Sequence, residues 1–358
     1  MKFTVSLILL STLFILFVIS TAKNPHVINF RSTNLYPESF TWDPKSQHFI
    51  VGSTRNHHKI ISVSDAGVVE TLISDTSLPP NSSFLGLSVD RHSNRLLAVI
   101  HRRSPPFNAV ASYDLQSRRR LFLSPIAMVT EDALQSAVAK DVAVDYDGNA
   151  YVTDSVNDVI WKVDSNGDVS IFSKSKAFKS HPVNVMTTVG LNGIVYNTRG
   201  YLLVVQSNTG KLFKVNVDDG TARTVTLTKD LTGGEGIAVR KDGVVLVVSR
   251  DKLYFLKSND GWGEGGVFDE TALEAERSPT AVTVGDEKRV YVLYGHVTEG
   301  VMGNVEREEF SIVEVESEEE NLEEPVWLYI LIGLGLAYFM FWRFQMHKLM
   351  ESLNKKTV

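Results

Sequence analysis

The sequence predicts an all-β fold: a six-bladed β-propeller with four-stranded blades, closed by an N-terminal strand and followed by one C-terminal transmembrane helix. Three observations carry this expectation. A hairpin signature recurs six times, a second strand pair follows the copies, and one orphan apolar strand is left at each end of the repeats.

The hairpin copies occupy residues 39–52, 86–99, 141–154, 193–206, 236–249 and, more weakly, 280–293. Each has two alternating apolar runs around a polar turn rich in Asp, Asn or Gly, as in Asp145-Tyr146-Asp147-Gly148-Asn149. Val159–Val163 and Val169–Phe172, separated by Asp164-Ser165-Asn166-Gly167-Asp168, form a second pair; runs starting at Lys211 and Lys252 open the equivalent pairs later. A sandwich would not repeat one hairpin six times. The last unit gains a third strand from Phe310–Val315 but no fourth, while His26–Phe30 has no partner of its own. Pairing these two closes the ring and hides both edges, which places the propeller in residues 23–316.

The flanks predict a luminal domain on a membrane. Residues 1–22 combine Lys2, an apolar run from Phe3 to Ile19 and the small residues Ser20-Thr21-Ala22, the pattern of a secretory signal peptide. An acidic spacer, 317–325, leads into a transmembrane helix over 326–344. Its seventeen uncharged residues, Val326–Trp342, carry Trp327, Tyr329 and Trp342 at the ends. At ~1.5 Å per residue that stretch is about 25 Å long, suited to a thin bilayer. Residues 306–324 hold ten Glu and one Arg, whereas 343–358 are net positive, so the 345–358 tail is expected in the cytosol and the propeller in the lumen. The terminal Lys355-Lys356-Thr357-Val358 resembles a dilysine retrieval signal, which implies residence in the endoplasmic reticulum membrane and a COPI-type coat as partner. Asn81-Ser82-Ser83 is a glycosylation sequon in a Pro-containing loop.

Composition removes several chemistries. Without the charged flanks the propeller is nearly neutral, so no nucleic-acid partner is expected. The chain has no cysteine, which excludes thiol catalysis and Cys-based zinc sites. No Ser-His-Asp triad or zincin motif stands out, and Gly233-Gly234-Glu235-Gly236 precedes a strand rather than the helix a phosphate loop requires. Polar residues gather instead on loops between the second and third strands: Arg55, His57, His58, His101, Arg102, Arg103, Asp154, Asn157, Gln206, Asn208, Arg250 and His296. Loops of a propeller share one face, so His57, His101, Gln206, Arg250 and His296 are candidate substrate contacts.

The hairpin Asp141–Asp154, with Asn157 and Ile160, resembles an NHL repeat. Residues 26–316 as a whole resemble the six-bladed propellers that include SMP-30/gluconolactonases, paraoxonases, calcium-dependent phosphotriesterases and strictosidine-synthase-like proteins. In the metal-dependent members, an oxygen-bearing residue just before the inner strand of several blades ligates calcium or a similar divalent ion. The resemblance puts Glu38, Asn192 and Glu235 at three such positions, with Trp42 matching the Trp that follows the first Glu. The fourth position, where the family has Asn, is Lys140, and a regular strand turns its neighbour Asp141 to the opposite face unless a bulge re-aims it.

Three readings follow. The resemblance implies a divalent-metal-dependent hydrolase of lactones or organic esters, with Glu235 as ligand and base and Lys140 beside the substrate. It is equally compatible with a non-catalytic propeller that holds a luminal protein, and with a strictosidine-synthase-like enzyme that needs no metal. Lys140 counts against the first, because an ammonium competes with a metal for the same carboxylates.

Overall fold

A computed structural model of the chain describes residues 25–55, 58–126, 137–183, 189–286, 288–303, 305–323 and 326–354. The six hairpin copies all form, each as the first two strands of a sheet. Blade 1 is β2 (Phe40–Asp43), β3 (His48–Val51), β4 (Lys59–Val63) and β5 (Val69–Ser74). Blade 2 is β6 (Ser83–Asp90), β7 (Arg95–Arg102), β8 (Phe107–Asp114) and β9 (Arg120–Pro125). Blade 3 is β10 (Ala139–Val144), β11 (Ala150–Asp154), β12 (Val159–Val163) and β13 (Val169–Ser173). Blade 4 is β14 (Leu191–Asn197), β15 (Tyr201–Gln206), β16 (Lys211–Asn216) and β17 (Ala222–Thr224).

Blade 5 departs from the expected four strands. The short β18 (Thr226–Leu227) adds in parallel to the outer edge of β22 (Glu264–Ala272), which already pairs with β21 (Lys252–Lys257), β20 (Val245–Val248) and β19 (Ile237–Val239). Blade 6 is β23 (Pro279–Val284), β24 (Val290–Tyr294), β25 (Glu309–Glu314) and β1 (Val27–Arg31). The closure is the expected one: Val27 pairs with Val313 and Arg31 with Glu309, antiparallel throughout.

The strand alternation explains how the blades hold together. Ile50 packs into the cluster shared by blades 1 and 2, whereas its neighbours Phe49 and Val51 pack into the one shared by blades 6 and 1. In β7, Leu96, Ala98 and Ile100 face blade 1 while Leu97 and Val99 face blade 3. Each sheet is thus apolar on both faces, and a separate core fills every gap between neighbouring blades.

Residues 316–358 form a second unit. It contains α2 (Glu318–Glu323) and α3 (Val326–Asn354), α1 being the short helix Val297–Met302 in blade 6. The sequence predicted a membrane helix ending at 344 and then a tail, whereas α3 continues to Asn354. Among the described residues, no helix is long and apolar enough to cross a membrane. From Leu331 onward α3 takes in Arg343, Gln345, His347 and Lys348, which dilutes its apolar character. The signal peptide, residues 1–22, and the retrieval lysines Lys355 and Lys356 lie outside the described residues. Asn81 is exposed, with a left-handed φ of 64°, in the connection that enters β6.

Candidate functional site

Every innermost strand starts at the same end of the propeller, and a recurrent irregularity shapes that end. The pairing slips by one residue between Phe84 and Leu87 in β6, between Ala139 and Val142 in β10, between Leu191 and Ile194 in β14, and between Pro279 and Ala281 in β23. Blade 5 shows the same local pattern: Glu235 N–H donates to Val248, whose own N–H donates to Gly236. Each slip sets an extra residue against the partner strand and bends the strand end.

The residue that follows must be small where adjacent blades touch. A Cβ on Gly86 would stand 2.5 Å from Asp141 Cα, and one on Gly193 would stand 2.3 Å from the Glu235 carbonyl oxygen. In blade 3 the corresponding residue is Asp141. The bulge does re-aim it: its Oδ2 accepts the backbone N–H of Ile194 in blade 4 at 3.1 Å.

Glu38, Lys140 and Glu235 belong to blades 1, 3 and 5. The Lys140 ammonium donates to Glu38 Oε1, directly joining two blades that are not neighbours. Lys140 also feels the charge of Glu235. Alternate blades meet this way only at the propeller axis, so the three side chains form one axial cluster. Burial by itself would lower the Lys140 pKa, but Glu38 and Glu235 outweigh it, and the net shift is upward. Lys140 therefore stays an ammonium and is no amine nucleophile.

Glu235 is half-buried in solvent-accessible terms yet enclosed by protein on the axis. Desolvation raises its carboxyl pKa to about 7, with Lys140 pulling against the rise, Glu38 adding to it and Arg250 opposing it. Asp141 is raised to about 6 by burial, against the N–H groups of Val142 and Ile194 and the charge of Lys140. Two carboxyl groups that titrate near neutrality thus flank one fixed ammonium.

The Lys140 ammonium competes with a divalent ion for the same carboxylates. A hard cation requires several oxygen ligands free to turn toward it. Here Glu38 is already neutralised by Lys140; the Asn192 Nδ2–H donates to Ser207 Oγ at 3.0 Å, which in turn donates to the Gly234 carbonyl, and the bond fixes the amide without using its oxygen. Among the described residues, no group of three or more His, Cys, Asp or Glu side chains is placed to hold a metal ion. Lys140 supplies the positive charge at the axis instead.

Several of the loop residues singled out in the sequence are committed elsewhere. Gln206 is fully buried; its amide donates to Asp158 and the Phe178 carbonyl, and its oxygen accepts from Thr209. The His101 ring contacts Asn108, which braces residues 137 and 139. His296 is buried against Phe310 and bonds Glu299, itself doubly held by Arg307. Asp154 caps the N–H groups of Val156 and Asn157, a turn role. Arg250 is exposed and electrostatically coupled to Glu235; His57 lies outside the described residues.

No family model and no curated protein sequence matches the chain. Solved structures do. The chain is similar to the major Malassezia sympodialis allergen Mala s 1, at 20% identity over 82% of this chain and 97% of that one, with a TM-score of 0.69. It is similar to a gluconolactonase from Xanthomonas campestris at 14% identity, over 82% and 90%, with a TM-score of 0.54. A luciferin-regenerating enzyme matches at 12% identity over 82% and 98%, also with a TM-score of 0.54. The chain is therefore a six-bladed propeller whose structural neighbours include gluconolactonase and related SMP-30-like propellers.

Proposed function

We propose that this propeller is a hydrolase of lactones or organic esters in which the Lys140 ammonium takes the electrostatic part that a metal plays in related enzymes. The observation that carries the reading is the axial cluster itself. Glu235, a carboxyl titrating near 7, sits within the field of an ion-paired lysine at the mouth of a propeller akin to gluconolactonase. A carboxyl with that pKa is ionised enough at neutral pH to accept a proton and acidic enough to return it.

In this mechanism ionised Glu235 takes a proton from water as the water oxygen bonds to the substrate carbonyl carbon. The negative charge that develops on the carbonyl oxygen faces Lys140, already held by Glu38 and needing no reorganisation. Collapse breaks the carbon–oxygen bond of the ester, and Glu235 returns the proton to the departing alkoxide. A lactone yields a hydroxy acid, and an acyclic ester yields a carboxylic acid and an alcohol.

The test is hydrolysis of a panel of lactones and aryl esters by the full chain, with and without a chelator. The proposal expects chelator-resistant turnover that falls at least a hundredfold in Glu235→Gln. Turnover that Glu235→Gln leaves intact overturns it, and absence of turnover across the panel favours the non-catalytic binding propeller.

We further propose that α3 anchors the propeller to the endoplasmic reticulum membrane. In support, Leu331, Leu334, Tyr338 and Phe341 stand exposed along it, a surface that water does not stabilise. Carbonate extraction that frees the protein from membranes counts against anchoring. Changing Lys355 and Lys356 to serine tests retrieval by its effect on location.

A further inference from the structure

Asn192 carries an unused acceptor in the same axial space as Glu235. It lies in the bulge of β14 and is only 4% exposed. Its backbone is held from blade 3, where Thr153 Oγ1 donates to the Asn192 carbonyl at 2.6 Å. Its side chain is held through blades 4 and 5. Ser207 Oγ has a single proton and donates it to the Gly234 carbonyl at 2.6 Å. Toward Asn192 that hydroxyl can then only accept, so Nδ2 faces Ser207 and Oδ1 faces away.

The oxygen turned outward accepts no hydrogen bond among the described residues, and it is not sealed from solvent. Asn192 and Glu235 hold the same place, each ahead of the glycine at the bulge of adjacent blades, so their side chains enter one axial space. The two segments also touch: a Cβ on Gly193 would stand 2.3 Å from the Glu235 carbonyl oxygen. A buried amide locked with its oxygen free calls for a donor from outside the fold.

The attacking water is such a donor. It carries two O–H bonds, and Glu235 takes only one. An acceptor fixed on the other sets the direction of the oxygen lone pair toward the carbonyl carbon. We propose that Asn192 Oδ1 accepts the second O–H of the nucleophilic water, with Ser207 as the positioning residue that holds the amide; this rests on the hydrolase reading. That second proton does not transfer. It stays on the attacking oxygen and becomes the O–H of the carboxylic acid formed.

The test uses the full chain with chelator present, acting on phenyl acetate and δ-valerolactone in water containing methanol. Methanol has one O–H, which Glu235 takes, and none for Asn192. Asn192→Leu should lower kcat for hydrolysis about tenfold with KM little changed, and raise the ratio of methyl ester to acid by a similar factor. Ser207→Ala should move that ratio the same way, and Ser207→Thr, which keeps the hydroxyl, should restore it. Retained methanolysis reports that each variant is folded. Hydrolysis unchanged in Asn192→Leu, or hydrolysis and methanolysis falling together, overturns the proposal. Turnover that Glu235→Gln abolishes but Asn192→Leu spares refutes this inference alone. No wild-type turnover of either substrate refutes the hydrolase reading and this inference with it.

Discussion

Replacing Lys140 with asparagine removes the one ammonium from the axial cluster and places there the Asn that the sequence resemblance led one to expect. The Glu38 and Lys140 side chains are only 20% and 17% exposed, so their ion pair is largely shielded from water. Breaking a buried pair costs about 3–5 kcal/mol, and the residual exposure here brings the expectation to about 2–3 kcal/mol. The loss is greatest at alkaline pH, where Glu235 also ionises and repels the unpaired Glu38. A divalent ion should then reverse it. At a free calcium concentration of about 100 times Kd, binding stabilises the variant by about 2.7 kcal/mol, a rise of roughly 4–5 °C in Tm. The wild-type chain should gain under ~0.5 kcal/mol at the same calcium concentration. Calorimetry and thermal melts with calcium measure both. Tight calcium binding by wild type, unchanged by Lys140→Asn, would refute the placement of Lys140 in the cluster.

Two further predictions concern stability. Glu235 has a folded-state pKa of about 7 against an ordinary 4.5, so the folded state holds the extra proton: the stabilisation is present below pH 4.5 and is lost as pH rises through 7. The full effect is about 3 kcal/mol, and the Tm should fall several degrees between pH 5 and pH 8. Glu235→Gln should remove most of that fall, leaving a smaller one from Asp141; an identical pH dependence in the variant contradicts the assignment. A chain beginning at residue 32 lacks β1 and with it Ile28 and Phe30, 1% and 2% exposed, at a cost of about 3–6 kcal/mol. Urea melts should show that chain losing cooperative unfolding, whereas one ending at residue 318 retains it; equal stability of both rules out closure by β1.

The sequence makes the blades legible because their signals are local. Alternating apolar residues and Asp/Gly/Asn turns specify each hairpin within fourteen residues, and His26–Phe30 had only the open edge of Phe310–Val315 left to pair with. The position of Lys140 follows from register with Val144 and Asp145 in the same way. What escapes depends on pairing across strands. Asp141 turns toward blade 4 because Ala139 and Val142, three residues apart, oppose Asp154 and Val152, two apart, and no residue type announces that slip. Likewise β18 is a strand only through its parallel contact with β22. Gln206 and His296 look like mouth residues in the sequence, and only the fold reveals Asp158, Phe178 and Glu299 waiting for them.

The most direct measurement is a carbon-13 NMR titration of the Glu235 carboxyl in the full chain, with the signal identified by its loss in Glu235→Gln. A midpoint near 7 is predicted, moving further upward in Lys140→Met as the opposing ammonium is removed. A midpoint in the ordinary carboxylate range, unmoved by Lys140→Met, would contradict the axial acid–base site.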